Sequence, residues 1–200
     1  MSKSVYNFKI LLFGEYSIVL NSFGFVIPYP LYRGSLKLNA ANKDRDSQKK
    51  ILEFTEYLKI KDKNLPDLDW LKINNDIKNN LFFESNIPQG YGLGSSGALV
   101  AAFYNRYVKK KISSQGKLTK NKLQKLKNIF SKMESYYHGE SSGIDPLNCY
   151  LGFPILIKSQ NEIQITKMPE EKALGYGGIF ILDSGNSSDT SSMVALFFKK

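Results

Sequence analysis

Three glycines within five residues, Gly90, Gly92 and Gly94, stand directly before a serine pair and an apolar helical run. The segment reads Pro88-Gln-Gly-Tyr-Gly-Leu-Gly-Ser-Ser-Gly-Ala98. A short apolar stretch at residues 81–83 reads as a strand leading into it. Beyond it, Ala98, Leu99, Ala102 and Phe103 predict a helix running to about Val108. A glycine loop between strand and helix lets backbone N–H groups approach an anion, and the helix N-terminus adds partial positive charge. Ser95 or Ser96 can cap that helix, and one hydroxyl can also reach a phosphate-bound Mg²⁺. No Gly-Lys-Ser/Thr ends the loop, which excludes a Walker A motif, and the glycine spacing is not the dinucleotide fingerprint. Two readings stay open on these residues alone, a phosphate cradle and a glycine-rich turn with an ordinary serine cap.

The rest of the chain narrows the setting. Its 200 residues suit one domain, or one and an incomplete second. With 42% hydrophobic and 23% charged residues, the composition is that of a globular protein with a real core. No run nears the roughly 18 apolar residues of a membrane span. The first apolar stretch, residues 10–13, ends at once in Gly14-Glu15, so neither a signal peptide nor a membrane partner is expected. Cys149 is the sole cysteine, which excludes an internal disulfide and fits a reducing, cytoplasmic setting. With His138 the sole histidine, a structural zinc site is excluded too.

The formal charge is +10, and its excess is local. Residues 106–132 hold ten Lys or Arg and no acid, while the remainder balances at 18 against 18. Such a run is a solvated helix face or a polyanion patch. No aromatic platform is interleaved with the lysines, so a nucleic-acid partner is not expected.

Periodicity predicts mixed strands and helices. Residues 8–13 read as a buried strand, and residues 16–20 and 23–27 as two more around an Asn21-Ser22 turn. Pro28 and Pro30 are expected to stop regular pairing. Ser47 can cap a helix bearing Ile51, Phe54 and Leu58, and residues 60–68 read as a surface connection. Thr119 opens a longer helix whose stripe is Leu123, Leu126, Phe130, Met133 and Tyr137, closed by Gly139. Strands follow at 153–157, 163–165 and 179–182. Asp183-Ser-Gly185 looks like a strand end, with Asp189 or Thr190 capping a last helix.

Two further segments hold chemistry. In Glu134-Ser-Tyr-Tyr-His138-Gly-Glu-Ser-Ser-Gly-Ile-Asp145, Glu134 sits at the inner edge of the helical stripe, where an acid needs a partner. Asp145 follows a turn-forming run suited to a second helix N-terminus. One acid can hold a metal while the other orients or deprotonates a hydroxyl; equally, Glu134 can be a surface residue and Asp145 a cap. His138 reads as a helix-end hydrogen-bonder. At the N-terminus, Lys9 and Glu15 bracket the first strand, as a charge pair for such a site or as a plain edge lysine and turn acid.

In chain order these segments resemble the GHMP kinase superfamily, and its mevalonate kinase branch most closely. Pro88 to Ala98 is similar to its phosphate loop, P-x-G-x-G-L-G-S-S-A-A, with Gly97 at the first alanine. His138 to Asp145 is similar to H-G-x-P-S-G-[IV]-D, with Ser141 at the proline. Lys9 to Glu15 matches the lysine-to-glutamate interval of the N-terminal motif, Tyr6-Asn-Phe8 replaces A-P-G, and Tyr16 stands where a histidine is common. Ile181-Leu-Asp-Ser-Gly185 through Thr190 and Val194 resembles a later strand, turn and helix.

The resemblance implies an α+β fold, the GHMP kinase N-terminal domain, like the ribosomal S5 second domain, with a C-terminal domain missing or truncated. Residues 1–182 would be the ATP-binding domain and 183–200 the start of the connection. It implies ATP- and Mg²⁺-dependent phosphorylation of the primary alcohol of mevalonate, in isoprenoid synthesis. Alternatives are another small alcohol, phosphomevalonate or a sugar, and a non-catalytic nucleotide- or polyanion-binding remnant. Asp145 would be the catalytic carboxylate with Lys9 beside it. Ser96 and Glu134 would ligate Mg²⁺, and Gly90, Gly92, Gly94, Ser95 and Ser96 would surround the ATP phosphates. Glu15 and Tyr16 would place the acceptor, and a homodimer is admitted.

Overall fold

The computed structural model describes residues 5–15, 17–20, 22–38, 44–61, 65–86, 94–116, 118–167 and 196–199. Five strands form one antiparallel sheet: β1 (Tyr6–Phe13), β2 (Gly24–Lys37), β3 (Phe82–Ser85), β4 (Ile155–Ser159) and β5 (Glu162–Ile165). The order is β1-β2-β4-β5, with β3 also paired to β2. Long β2 is the organiser. One edge carries β1, while the other carries β4 at Gly24–Val26 and β3 at Gly34–Lys37.

That division explains why β2 passes through two prolines that were expected to end it. Between the β4 and β3 segments no strand pairs with the second edge, so an absent N–H there breaks no ladder bond. Pro28 pairs opposite Lys9, and Pro30 falls in the irregular stretch where Tyr29 and Arg33 face consecutive residues of β1. The Asn86 side chain closes that stretch, accepting from Arg33 N at 2.7 Å and donating to Leu31 O at 3.1 Å.

Residues 17–20, expected as strand, form a 3-10 turn. Gly14 adopts φ 95°, and Ile18 N–H then bonds Gly14 O at 3.0 Å. The turn brings Ile18 against Gly24, where a Cβ would lie 2.4 Å from its Cδ1. A short apolar run cannot choose between strand and turn by itself.

Five α-helices pack on the sheet among the described residues: α1 (Arg45–Ile60), α2 (Trp70–Lys78), α3 (Ser95–Tyr107), α4 (Lys120–His138) and α5 (Ile144–Leu151). Asp44, not Ser47, caps α1, its carboxylate accepting Ser47 N–H at 2.9 Å. Ser47 Oγ instead accepts Phe83 N–H at 2.8 Å and ties α1 to β3. No element was expected for α2; Asp69 caps it, and Ile73 and Asp76 face inward.

Helix α3 is the buried centre. Gly97 through Tyr104 and Tyr107 are all buried, the signature of a helix surrounded by protein. Rings from three helices close around it: Phe54 meets Phe103 at 5.2 Å, and Tyr104 meets Phe130 at 4.9 Å and Tyr150 at 5.2 Å between centroids. The expected stripe of α4 is buried at Leu123, Leu126, Phe130 and Met133, with Glu134 buried beside them. In the basic segment, Arg106 Nε lies 2.7 Å from Asp76 Oδ2 and Lys109 Nζ 3.2 Å from Asp67 Oδ1. No described helix is long and apolar enough to cross a membrane. The expected strand at 179–182 and the features at Asp183, Gly185, Asp189 and Thr190 lie outside the described residues.

Candidate active site

Three segments distant in sequence, β1, the end of α4 and the start of α5, converge on the first turn of α3. The turn itself begins at Gly94, whose φ of 78° is left-handed and suits glycine. Gly94 rather than either serine is the N-cap, and no side chain caps the helix. The hydroxyl groups are thereby left for other partners. A Cβ at Gly94 would sit 3.2 Å from Lys9 Cγ, so the glycine also lets β1 come close.

Lys9, from the middle of β1, is 8% exposed and places Nζ 3.2 Å from Asp145 Oδ2. Burial pulls the ammonium group down. The charge and hydrogen bond of Asp145, with Glu15 and Glu134 behind them, outweigh burial and leave Lys9 above its ordinary value.

Asp145 is in the first turn of α5, which presses directly on α3. A Cβ at Gly97 would lie 2.9 Å from Asp145 C and from Pro146 N. The absence of a side chain at Gly97 sets the spacing between the two helices. Gly143, the N-cap of α5, has φ 74° and fits against α4, where a Cβ would lie 2.2 Å from Lys127 O.

Glu134 reaches the same point from the far side. It is 2% exposed. Ser96 Oγ donates to its Oε1 at 3.3 Å, and Ser141 Oγ donates to its Oε2 at 2.5 Å. His138 Nε2 lies 3.2 Å from Ser96 Oγ. Which of the two donates in that contact follows from the imidazole tautomer. Burial, then the Asp145 charge, push the Glu134 carboxyl up to about 8, against the opposing hydrogen bonds of Ser141 and Ser96 and the charge of Lys9. An acid so placed calls for a cation.

Among the described residues no group of three or more His, Cys, Asp or Glu gathers to hold a metal. The donors present, a hydroxyl and a carboxylate, are hard oxygens, and Mg²⁺ is commonly held by one or two carboxylates together with phosphates and water. The residues therefore fit a phosphate-bound Mg²⁺.

Ser95 and Ser96 also border a cavity of about 560 Å³ between α1, β3 and the end of α4, with Lys50, Phe83, Leu99 and Tyr136 in its wall. That volume suits a ligand of nucleoside size. The sequence reading missed this cavity, since its lining is scattered over four elements.

Of the expected site residues, Lys9, Ser96, Glu134 and Asp145 come together and Gly94 and Ser95 join them at the helix start. Glu15 is exposed at the turn after β1, near enough for its charge to act on Lys9. Gly90, Gly92 and Tyr16 lie outside the described residues. Ser141 was missed as a functional side chain; its signal was only a serine in a turn. His138 is the helix-end hydrogen-bonder expected.

The family profile described as "GHMP kinases N terminal domain" matches residues 54–153, half of the chain. No curated protein matches the sequence. Among solved structures, the chain is similar to the mevalonate kinase of Methanococcus jannaschii, at 16% identity and TM-score 0.47 over 84% of this chain and 56% of that one. It is similar to mevalonate kinase from methicillin-resistant Staphylococcus aureus, at 20% identity and TM-score 0.45 over 82% and 54%. A third is L. major mevalonate kinase in complex with R-mevalonate, at 20% identity and TM-score 0.46 over 84% and 52%. The chain spans about half the length of these structures. By the profile match over α3, α4 and α5, the chain belongs to the GHMP kinases, of which it carries the N-terminal domain.

Proposed function

We propose that the protein phosphorylates a small-molecule alcohol with ATP and Mg²⁺, and that the alcohol is the primary hydroxyl of mevalonate. One observation carries the phosphoryl-transfer reading. A lysine, two carboxylates and a serine hydroxyl meet at an uncapped helix N-terminus beside a nucleoside-sized cavity. The acceptor rests on the likeness of His138 to Asp145 to the mevalonate kinase motif.

Each residue then has a task. The first turn of α3, from Gly94 through Ser96, faces the phosphates with its amide groups. Ser96 and Glu134 would hold Mg²⁺, which when bound neutralises charge on the transferring phosphate oxygens. Asp145 Oδ orients the acceptor hydroxyl and receives its proton as oxygen bonds to the γ-phosphorus. The bond from that phosphorus to the bridging oxygen breaks, and ADP leaves with the electron pair. Lys9 Nζ holds Asp145 in place and offsets negative charge in the transition state. Glu15 and Tyr16, next along from β1, would place the acceptor, while Gly90 and Gly92 would extend the phosphate contacts.

The test is ADP release by the full-length polypeptide carrying this sequence. Release that needs ATP, Mg²⁺ and mevalonate together is expected. Release only with phosphomevalonate or a sugar would move the acceptor but keep the chemistry. A non-catalytic polyanion-binding unit is the remaining reading, and the acid-free basic segment at 106–132 favours it. It predicts binding that weakens steeply with salt and ignores Mg²⁺.

A further inference from the structure

We infer that Ser141 is a positioning residue that makes the Glu134 carboxylate present one oxygen to a cation, and so selects Mg²⁺ over Ca²⁺. The inference rests on the phosphoryl-transfer reading of the site.

Ser141 is held at three points. Its Oγ accepts Gly143 N–H at 3.0 Å, its carbonyl accepts Ser131 Oγ–H at 2.5 Å, and its own hydroxyl proton goes to Glu134 Oε2 at 2.5 Å. Once a bound cation keeps Glu134 ionised, its oxygens can only accept, so in that state the direction of this last bond is settled by chemistry. With Gly143 N–H filling one side of Oγ, the proton has one place to point.

The consequence falls on the other oxygen. Oε2 is engaged from the α5 side, while Oε1 faces Ser96. A cation shared between Ser96 and Glu134 then meets a single carboxylate oxygen. Mg²⁺ takes six ligands in near-ideal octahedral geometry, and one oxygen from a carboxylate suits it. Ca²⁺ takes six to eight at longer distances and often grips a carboxylate by both oxygens. Losing the Ser141 bond frees Oε2 and opens the two-oxygen grip. The same bond joins the metal-side acid on α4 to the loop that launches Asp145, so one hydroxyl sets the relation of both acids.

The experiment measures ADP affinity by titration calorimetry, with Mg²⁺, with Ca²⁺ and with chelator, for the full-length polypeptide and three variants. In the parent, Mg²⁺ should tighten ADP binding at least tenfold more than Ca²⁺ does. Ser141→Ala should lower that preference fivefold or more, and Ser141→Thr, which keeps the hydroxyl, should restore it. Ser141→Cys keeps the side-chain shape, though with a larger sulfur, and donates weakly, so it should lose the preference while remaining folded in chelator, which covers an Ala variant that fails to fold. An unchanged preference in Ser141→Cys, or a Thr variant that behaves like Ala, overturns the role of Ser141. A parent whose ADP binding ignores both cations overturns the reading of the site itself.

Discussion

Lys9 Nζ and Asp145 Oδ2 meet at 3.2 Å across the first turn of α3, one from the middle of β1 and one from the start of α5. They are separated by most of the described chain, and Gly94 and Gly97 are the residues that let both come near. The ammonium group is buried and answers three acids at once, Asp145 by contact and Glu15 and Glu134 by charge.

Removing that ammonium group therefore costs both stability and chemistry. Lys9→Met should lower unfolding stability by about 2 kcal/mol, less than for a fully enclosed pair because Asp145 keeps part of its surface in water. Denaturant titration measures the first effect, and ADP release by the same variant should fall about a hundredfold.

Glu134 predicts a pH dependence with a definite sign. Its carboxyl is raised from the ordinary 4.5 to about 8, so between those values the native state binds more protons than the unfolded chain. Stability then falls as pH rises through that window. Urea titrations in chelator at several pH values should show this fall, and Glu134→Gln should be flatter by the Glu134 share. Nucleotide with Mg²⁺ should reduce the slope in the parent.

Gly97→Ala sets two effects against each other. Helix propensity favours alanine by about 1 kcal/mol. The new Cβ, however, would lie 2.9 Å from the backbone of Asp145 and Pro146. Overpacking against backbone costs about 1–3 kcal/mol, so the clash should win. We expect net destabilisation in denaturant titration and a larger loss in kcat than in nucleotide affinity, because the displaced group is Asp145.

Asp76 offers a contrast away from the site. It accepts from Arg106 Nε at 2.7 Å and from Tyr107 OH at 2.9 Å, joining α2 to α3. Burial and the Asp76 hydrogen bond push the Tyr107 hydroxyl well up, keeping it a donor. Asp76→Ala should cost about 3 kcal/mol by stranding these partners, while ADP affinity per folded molecule stays within twofold.

What the sequence made legible follows a physical line. Each of Lys9, Ser96, Glu134 and Asp145 alone has a bland use, as edge lysine, cap or surface acid, and they became legible only together, through the resemblance of their segments in chain order to the GHMP kinase motifs. Helix α2 did not, since Trp70-Leu-Lys-Ile-Asn-Asn-Asp-Ile-Lys78 is short and polar, and its inward Asp76 is explained only by Arg106 thirty residues on. Pro28 and Pro30 misled because their tolerance depends on an unpaired edge that only the sheet defines. Ser47 and the Ser95–Ser96 pair were read as caps, but Asp44 and Gly94 took those positions and released the hydroxyl groups for tertiary bonds. Ser141 lay beyond local reasoning for the same cause, as its partner is seven residues back on another element.

The most direct test of the account is Asp145→Asn in the full-length polypeptide, read as mevalonate-dependent ADP release alongside Mg²⁺–ADP affinity. Loss of the proton acceptor should lower turnover by about 10³-fold while nucleotide affinity stays within a few fold. Turnover equal to the parent would contradict the role given to Asp145, and with it the reading of the site as a phosphoryl-transfer centre.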